Sequence, residues 1–370
     1  MNTQKISLPI EYWNIKDTEE VSFLDSRTIE TKYFYDVRFT GHSIHYPQPL
    51  LYSRGRLLLP TIEKFMSLGR GTVYEKDMRY DGELYPYNEI CETPVFYFVY
   101  NMANYYHFIY DTLPYLYSYF YHRKYNRNLK LLVSPPDGQD DLYPFVWDCL
   151  ELLGIKEEYK IRREDVVFLD RNTLYNVVLV GSSLTHNHQS NEPPHRGLFE
   201  VLGRMKGEYD GPEKVYVSRR TWLNDKSDNI GTNYTERRRC VNEDEMAEYF
   251  ISLGFEEVFC ENLTMSEKIG LFRGAKVVAG PSGGGMVNVL FSPPDTKVIS
   301  IDSPTFYDVN SRWEYSLNHT NLHHFTDTMF IDRVEESVES KGSLSISGGL
   351  NSPWRVNMNS LKKFIDNIDG

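Results

Sequence analysis

The sequence predicts an α/β protein of two nucleotide-binding-like units facing each other across a cleft, with a β-rich N-terminal elaboration. Three observations carry that expectation. Short apolar runs rich in Val, Leu and Ile alternate with helical patterns, as a parallel sheet covered on both faces requires. The alternation breaks once, at the polar stretch "SSLTHNHQSNEPPHRG" (182–197), and then restarts. The chain has 370 residues, more than a single core usually organises, so two domains are expected.

Residues 1–95 alternate short β-like runs with turns, as in "KYFYDVRF", "RLLLP" and "GTVYEKDMRYDGELYP". The expected first α/β unit spans 96–205. It opens with "TPVFYFVYNMANYYHFIYDTLPYLYSYFYHRKY", a buried strand that becomes a long apolar helix, where Pro114 should cause a kink. "LKLLVSPP" is a strand stopped by prolines, and "YPFVWDCLELLGI" a helix ending near Gly154. "DVVFLD" and "LYNVVLVG" supply two more strands.

The expected second unit spans 206–340. "EKVYVSRR" is a strand and "TWLNDKSDNIGTNYTERRR" a polar loop. Asn242, with Glu245 three residues on, reads as a capping box before a helix whose apolar face is Met246, Phe250 and Leu253. Then follow strand "FEEVFCE", helix "TMSEKIGLFRGA", strand "KVVAG", a glycine turn, helix "GMVNVLF" and strand "TKVISID". The amphipathic segment at 352–369 is expected to cross back and complete the first unit.

Composition excludes some classes. A formal net charge of −12 argues against a nucleic-acid partner, which would select a basic face. Cys91, Cys149, Cys240 and Cys260 are scattered without C-x-x-C, suggesting neither a zinc site nor a disulfide framework. No run approaches the ~20 apolar residues of a transmembrane helix, and the N-terminus lacks a signal-peptide core. The expectation is a cytoplasmic chain. The 28 tyrosines suit sugar or base stacking, although codon usage alone would also raise them.

"AKVVAGPSGGGMVNVLF" (275–291) can be read three ways. A phosphate loop would need Lys after the last glycine, where this chain has Met286. A hydrolase elbow, G-x-S-x-G, would use Ser282 with Asp302 and one of His319, His323 or His324. Against it, Pro281 fixes φ beside the nucleophile, and no H-G-G-G motif precedes it. The third reading is a turn whose amides at Ser282, Gly283, Gly284 and Gly285 cradle a diphosphate. A diphosphate also needs guanidinium forks, and Arg219, Arg220, Arg238 and Arg239 lie at a strand end and before a helix.

His107 and Asp111 are spaced i, i+4, which on a helix places them on one face roughly 6 Å apart. A carboxylate bonded to one ring nitrogen fixes the tautomer and leaves the other nitrogen to take a proton. The same spacing also serves a His–Asp bond that only ties a helix to its core.

"NYYHFIYDTLPYL" (104–116) resembles the N-x-x-H-F-x-x-D-x-L-P segment of glycosyltransferase family 61. "VYVSRR", "RRCVNEDE" and "PSGGGMVNVLFSPP" resemble later segments of that family, in order. Where the family pattern carries histidine, alanine and glutamine, this chain has Ser282, Gly284 and Lys268. The resemblance implies a GT-B fold of two Rossmann-like domains, a nucleotide-sugar donor held by the second, inversion at the anomeric carbon, and no metal or other cofactor. The partners implied are a UDP-linked donor, such as one carrying xylose or N-acetylglucosamine, and a glycan or glycoprotein acceptor of surface polysaccharide or glycan synthesis. On that basis His107, oriented by Asp111, is the expected base. Arg219, Arg220, Arg238, Arg239 and the turn amides hold the diphosphate, Asn288 orients the turn, and Glu261 touches the nucleoside. The alternatives are a catalytically inactive nucleotide-sugar or glycan-binding protein of the same fold, and the serine hydrolase.

Overall fold

The computed structural model describes residues 29, 31–43, 49–53, 56–57, 78–79, 87–99, 102–135, 139–154, 159–181, 183–185, 194–220, 239–304, 321–331 and 352–369. The chain divides into two compact units, Met1–Met205 and Lys206–Gly370. The break falls where the alternation restarts in the sequence.

The first unit is built on one nine-stranded sheet. Its strands are β1 (Thr31–Ser43), β2 (Pro49–Ser53), β3 (Arg56–Leu57), β4 (Met78–Arg79), β5 (Glu89–Cys91), β6 (Val95–Tyr97), β7 (Lys130–Val133), β8 (Val166–Phe168) and β9 (Thr173–Gly181). The order β3-β2-β1-β9-β6-β7-β8 has a parallel half, in which β9, β6, β7 and β8 run together. Its other half is antiparallel, joined through the β1–β9 ladder from Thr31↔Gly181 to Val37↔Tyr175. The described strands of the first 95 residues, β1 to β5, thus belong to the first unit's own sheet. The run "VFYFV" (95–99) is buried throughout, and so are Leu131, Leu132 and Val133 of β7, as a two-sided cover demands.

The long apolar segment after β6 is not one helix. It runs as α1 (Tyr105–His107), a π turn (Phe108–Thr112), a 3₁₀ turn (Leu113–Tyr115) and α2 (Leu116–Tyr125). Pro114 has no N–H to give to the carbonyl four residues back, so the chain widens before it and tightens around it. Helices α3 (Pro144–Leu152) and α4 (Gly197–Gly203) complete the unit.

The second unit carries a five-stranded sheet of β10 (Lys214–Val217), β11 (Glu256–Val258), β12 (Val277–Pro281), β13 (Lys297–Ile301) and β14 (Leu322–Phe325), ordered β11-β10-β12-β13-β14 and parallel throughout. Numbered within the unit this is 2-1-3-4-5, a doubly wound order whose ligand crevice lies between the first and third strands, here β10 and β12. Helix α5 (Glu243–Ser252) joins β10 to β11, and α6 (Met265–Gly274) joins β11 to β12. After β12, "GMVNVLF" forms a 3₁₀ segment, Gly285–Phe291, in place of the α-helix its pattern suggests.

The C-terminal segment corrects an expectation. Strands β15 (Thr328–Phe330) and β16 (Trp354–Val356) pair antiparallel, and α7 (Met358–Asp369) follows. Leu361 and Ile365 of α7 share one core with Tyr216, Phe250, Ala279, Ile299, Ile301 and Trp354. Residues 352–369 thus complete the second unit, not the first. The reason is local: β16 is bonded to the start of α5 through Trp354 N–H to Arg239 O (2.9 Å) and Val241 N–H to Trp354 O (2.9 Å). Among the described residues no helix is long and apolar enough to cross a membrane.

Leu361 is fully buried in this core. Leu361→Ala is expected to destabilise the protein by about 2–5 kcal/mol in urea unfolding. Hydrogen exchange should rise in β10, α5 and β13; a rise confined to the first unit would contradict this packing.

Candidate functional site

The first unit positions the His–Asp pair. Asn104 caps α1, its Oδ1 accepting the His107 N–H at 3.2 Å. His107 Nδ1 lies 2.6 Å from Asp111 Oδ2, across the start of the π turn. Thr185 Oγ1 donates to the second carboxylate oxygen at 3.2 Å. Asp111 is buried, whereas the His107 side chain is 37% exposed. The arrangement fixes the ring from behind and leaves its edge toward solvent, which is what a positioned proton acceptor needs. Asn104, His107, Asp111 and Pro114 thus have separate physical tasks: cap, ring, anchor and turn.

The second unit assembles its site at the carboxyl ends of β10 and β12. Arg219 follows β10, and its Nη1 donates to Ser282 O at 3.0 Å. The approach needs glycine. A Cβ on Gly280 would sit 2.6 Å from Val217 O, and one on Gly283 would meet the Arg219 guanidinium at 3.2 Å. Asn288, fully buried on the 3₁₀ segment, donates from Nδ2 to Gly285 O at 2.8 Å and so holds the turn in shape. Cys260, next to Glu261, places its Sγ 4.0 Å from the same carbonyl. Glu261 therefore sits on a 3₁₀ turn beside the glycine bend.

The sequence gives no warning of how Arg219 is anchored. Its backbone N–H donates to Glu243 Oε1 at 2.6 Å, and Tyr216 OH reaches the same oxygen at 3.4 Å. Glu243 is 1% exposed, and its Oε2 has no hydrogen-bond partner. Burial pushes its carboxyl up to about 7, against the pull of Arg219. Burial in turn draws the Arg219 guanidinium below its ordinary value, with Glu243 opposing. Glu243 belongs to the "RRCVNEDE" segment, but it hides among three consecutive acids at a helix start.

Other expected roles change. Arg220 is taken up by carboxylates: Nε and Nη2 meet Glu257 at 2.9 and 2.5 Å, and Nη1 meets Asp244 at 2.9 Å. Those partners raise its pKa further and make it a tie between β10, α5 and β11. Arg239 is exposed, with its carbonyl on Trp354. Arg238 lies outside the described residues. Asn242 does not form the expected capping box. Its Nδ2 donates to Val356 O at 2.9 Å, and its Oδ1 accepts from Val356 N–H at 3.0 Å.

A second imidazole–carboxylate pair stands beside the turn. His324 Nδ1 is 2.8 Å from Asp302 Oδ2, and Ser300 Oγ donates to Asp302 Oδ1 at 2.7 Å. The register Gly280↔Ser300↔His324 puts these groups on one face of the sheet. Ser282 is 4% exposed, and neither its Oγ nor His324 Nε2 has a hydrogen-bond partner. The serine–histidine link that a hydrolase requires is therefore not made. His319 lies outside the described residues, and none of the four cysteines is in a disulfide. Among the described residues no group of three or more His, Cys, Asp or Glu side chains is placed to hold a metal ion.

Two outcomes test this geometry. Gly280→Ala should cost about 1–3 kcal/mol in urea unfolding, because its Cβ meets backbone. Gly284→Ala, which faces open space, should be nearly neutral. Glu243 binds its proton more tightly in the folded state, so the folded state loses relative stability as pH rises from about 4.5 to about 7. Thermal melts of Glu243→Gln should lack that component, gaining on the unsubstituted chain as pH rises through this window. Parallel curves would refute the assignment.

The comparison with curated proteins gives no match. The family model Glycosyltransferase 61 matches residues 105–299, more than half of the chain, from α1 through the first three residues of β13. Both the His107–Asp111 pair and the Arg219–glycine-turn contact fall within that span. The chain belongs to glycosyltransferase family 61.

Proposed function

We propose that the protein transfers a sugar from a nucleotide-diphosphate donor, UDP-linked xylose or N-acetylglucosamine being the first choices, to a hydroxyl of a glycan acceptor in surface polysaccharide or glycoprotein glycan synthesis. The reading takes the two units as the acceptor and donor halves of a GT-B transferase. The observation that carries it is the Arg219 guanidinium bonded to the Ser282 carbonyl at the β10–β12 crevice, where doubly wound sheets bind ligands.

In this mechanism the acceptor hydroxyl gives its proton to His107 Nε2 while Asp111 holds the opposite ring nitrogen. The acceptor oxygen attacks the anomeric carbon from the face opposite the diphosphate, so the C1–O bond to phosphate breaks with inversion. Negative charge then collects on the departing β-phosphate. Arg219 and the amides of Ser282, Gly283, Gly284 and Gly285 are the groups proposed to stabilise it in place of a metal ion. Arg239 and Glu261 border the proposed nucleotide and nucleoside positions, and Asn288 keeps the turn amides aimed.

Ser282, standing where the family pattern has histidine, supports a second reading: a chain that binds nucleotide sugars without turning them over. The two are separated by titrating UDP-xylose, UDP-N-acetylglucosamine and other nucleotide sugars, then measuring transfer with and without a chelator. Arg219→Ala should weaken nucleotide-diphosphate binding at least tenfold. His107→Ala should lower transfer by about 10²–10⁴-fold with donor binding unchanged. Full turnover by His107→Ala would reject the base, and a strict requirement for manganese would reject the metal-independent step.

A further inference from the structure

The first unit has a second concave site, at the opposite edge of its sheet from His107. His107 follows the carboxyl end of β6, whereas this cavity opens beside Pro94 and Leu129, the residues before β6 and β7. It measures about 390 Å³, within the range of small-molecule sites. Two tyrosines come from one face of β1: Tyr33 pairs with Leu179, and Tyr35 with Val177. The last turn of α2 contributes Tyr121, His122 and Tyr125, with Asn126 just beyond.

The rings brace one another. Tyr121 and Tyr125 meet edge to face at 5.4 Å, and Tyr33 and His122 at 5.6 Å. Tyr33 OH is 2.9 Å from His122 Nδ1. None of the described lining residues is Asp, Glu, Lys or Arg. Burial lowers the His122 imidazole to about 4, so it is uncharged at neutral pH. A phosphate or carboxylate would find no counter-charge here. A purely apolar ligand would cover the Tyr125 phenol and the Asn126 amide without replacing the water they contact. A sugar satisfies both constraints, because one face of its ring presents C–H groups for aromatic stacking and its rim carries hydroxyls.

We propose that this cavity is a carbohydrate-binding site for a short neutral segment of glycan, seated against Tyr33, Tyr35, Tyr121 and Tyr125. The site is separate from the His107–Asp111 pair and does not depend on the transferase reading. It would hold a glycan chain on the face of the first unit remote from the proposed chemistry, as an anchoring subsite does.

The test is ligand-detected NMR on the full chain with xylobiose, cellobiose, lactose and N,N′-diacetylchitobiose. Tyr125 is 76% exposed and Asn126 is exposed, so Tyr125→Ala and Asn126→Ala should fold normally. At least one disaccharide should bind. Tyr125→Ala should weaken it about tenfold or more, Asn126→Ala measurably, and Tyr125→Trp should retain it. Raising salt to about 0.5 M should leave binding unchanged. Nucleotide-diphosphate binding should be the same in all three variants, which separates this site from the Arg219 turn. No binding by any disaccharide, binding indifferent to Tyr125→Ala and Asn126→Ala, or binding abolished by salt would overturn the proposal.

Discussion

The second unit depends on one constraint: a guanidinium must reach a main-chain carbonyl through the mouth of a parallel sheet. Arg219 does so beside Gly283, where a side chain would crowd its guanidinium, and Glu243 accepts a hydrogen bond from the arginine backbone N–H. The cation is thereby fixed before any ligand arrives. A group that need not reorganise when charge develops stabilises a transition state more effectively than one that must be recruited. Burial of the Glu243 carboxyl, which resists its ionisation, is part of the same compromise. Its full charge would hold Arg219 more tightly but would also cancel the field the arginine offers.

The first unit solves a positioning problem by breaking a helix. With regular α geometry throughout, Pro114 would clash with the carbonyl of Tyr110. The π turn absorbs the misfit, and Asp111 sits within it while His107 sits at its edge. The carboxylate is buried under Thr185 and the imidazole stays near the surface. The pair of unequal exposure thus sits where the helix is interrupted ahead of the proline.

Strand β1, strands β6 to β13 and the i, i+4 pair were legible in the sequence, because periodicity and spacing are local properties. The Arg219–turn contact was also legible, since strand ends and glycine turns converge by rule in doubly wound sheets. What could not be read was the choice of partner. Arg219 and Arg220 are adjacent and chemically identical, yet one meets a carbonyl and the other two carboxylates. That difference arises from the direction each takes on leaving β10, which only the packed α5 and β11 determine. Asn242 likewise has the residue type of a helix cap but faces a strand more than a hundred positions away. Helix α7 packs in the second unit and not the first, which its sequence does not specify: an amphipathic stripe states that it will be buried, not where.

The position of α7 also bears on how the molecule is made. On the ribosome, β10 leaves the exit tunnel long before Leu361 and Ile365, yet those side chains roof the sheet face formed by Tyr216, Ala279 and Ile299. Until they emerge, the nascent second unit carries an uncovered apolar surface flanked by open strand edges, the kind of surface chaperones recognise. Biogenesis of this unit therefore finishes late, with its closing helix, however early its first strand is synthesised.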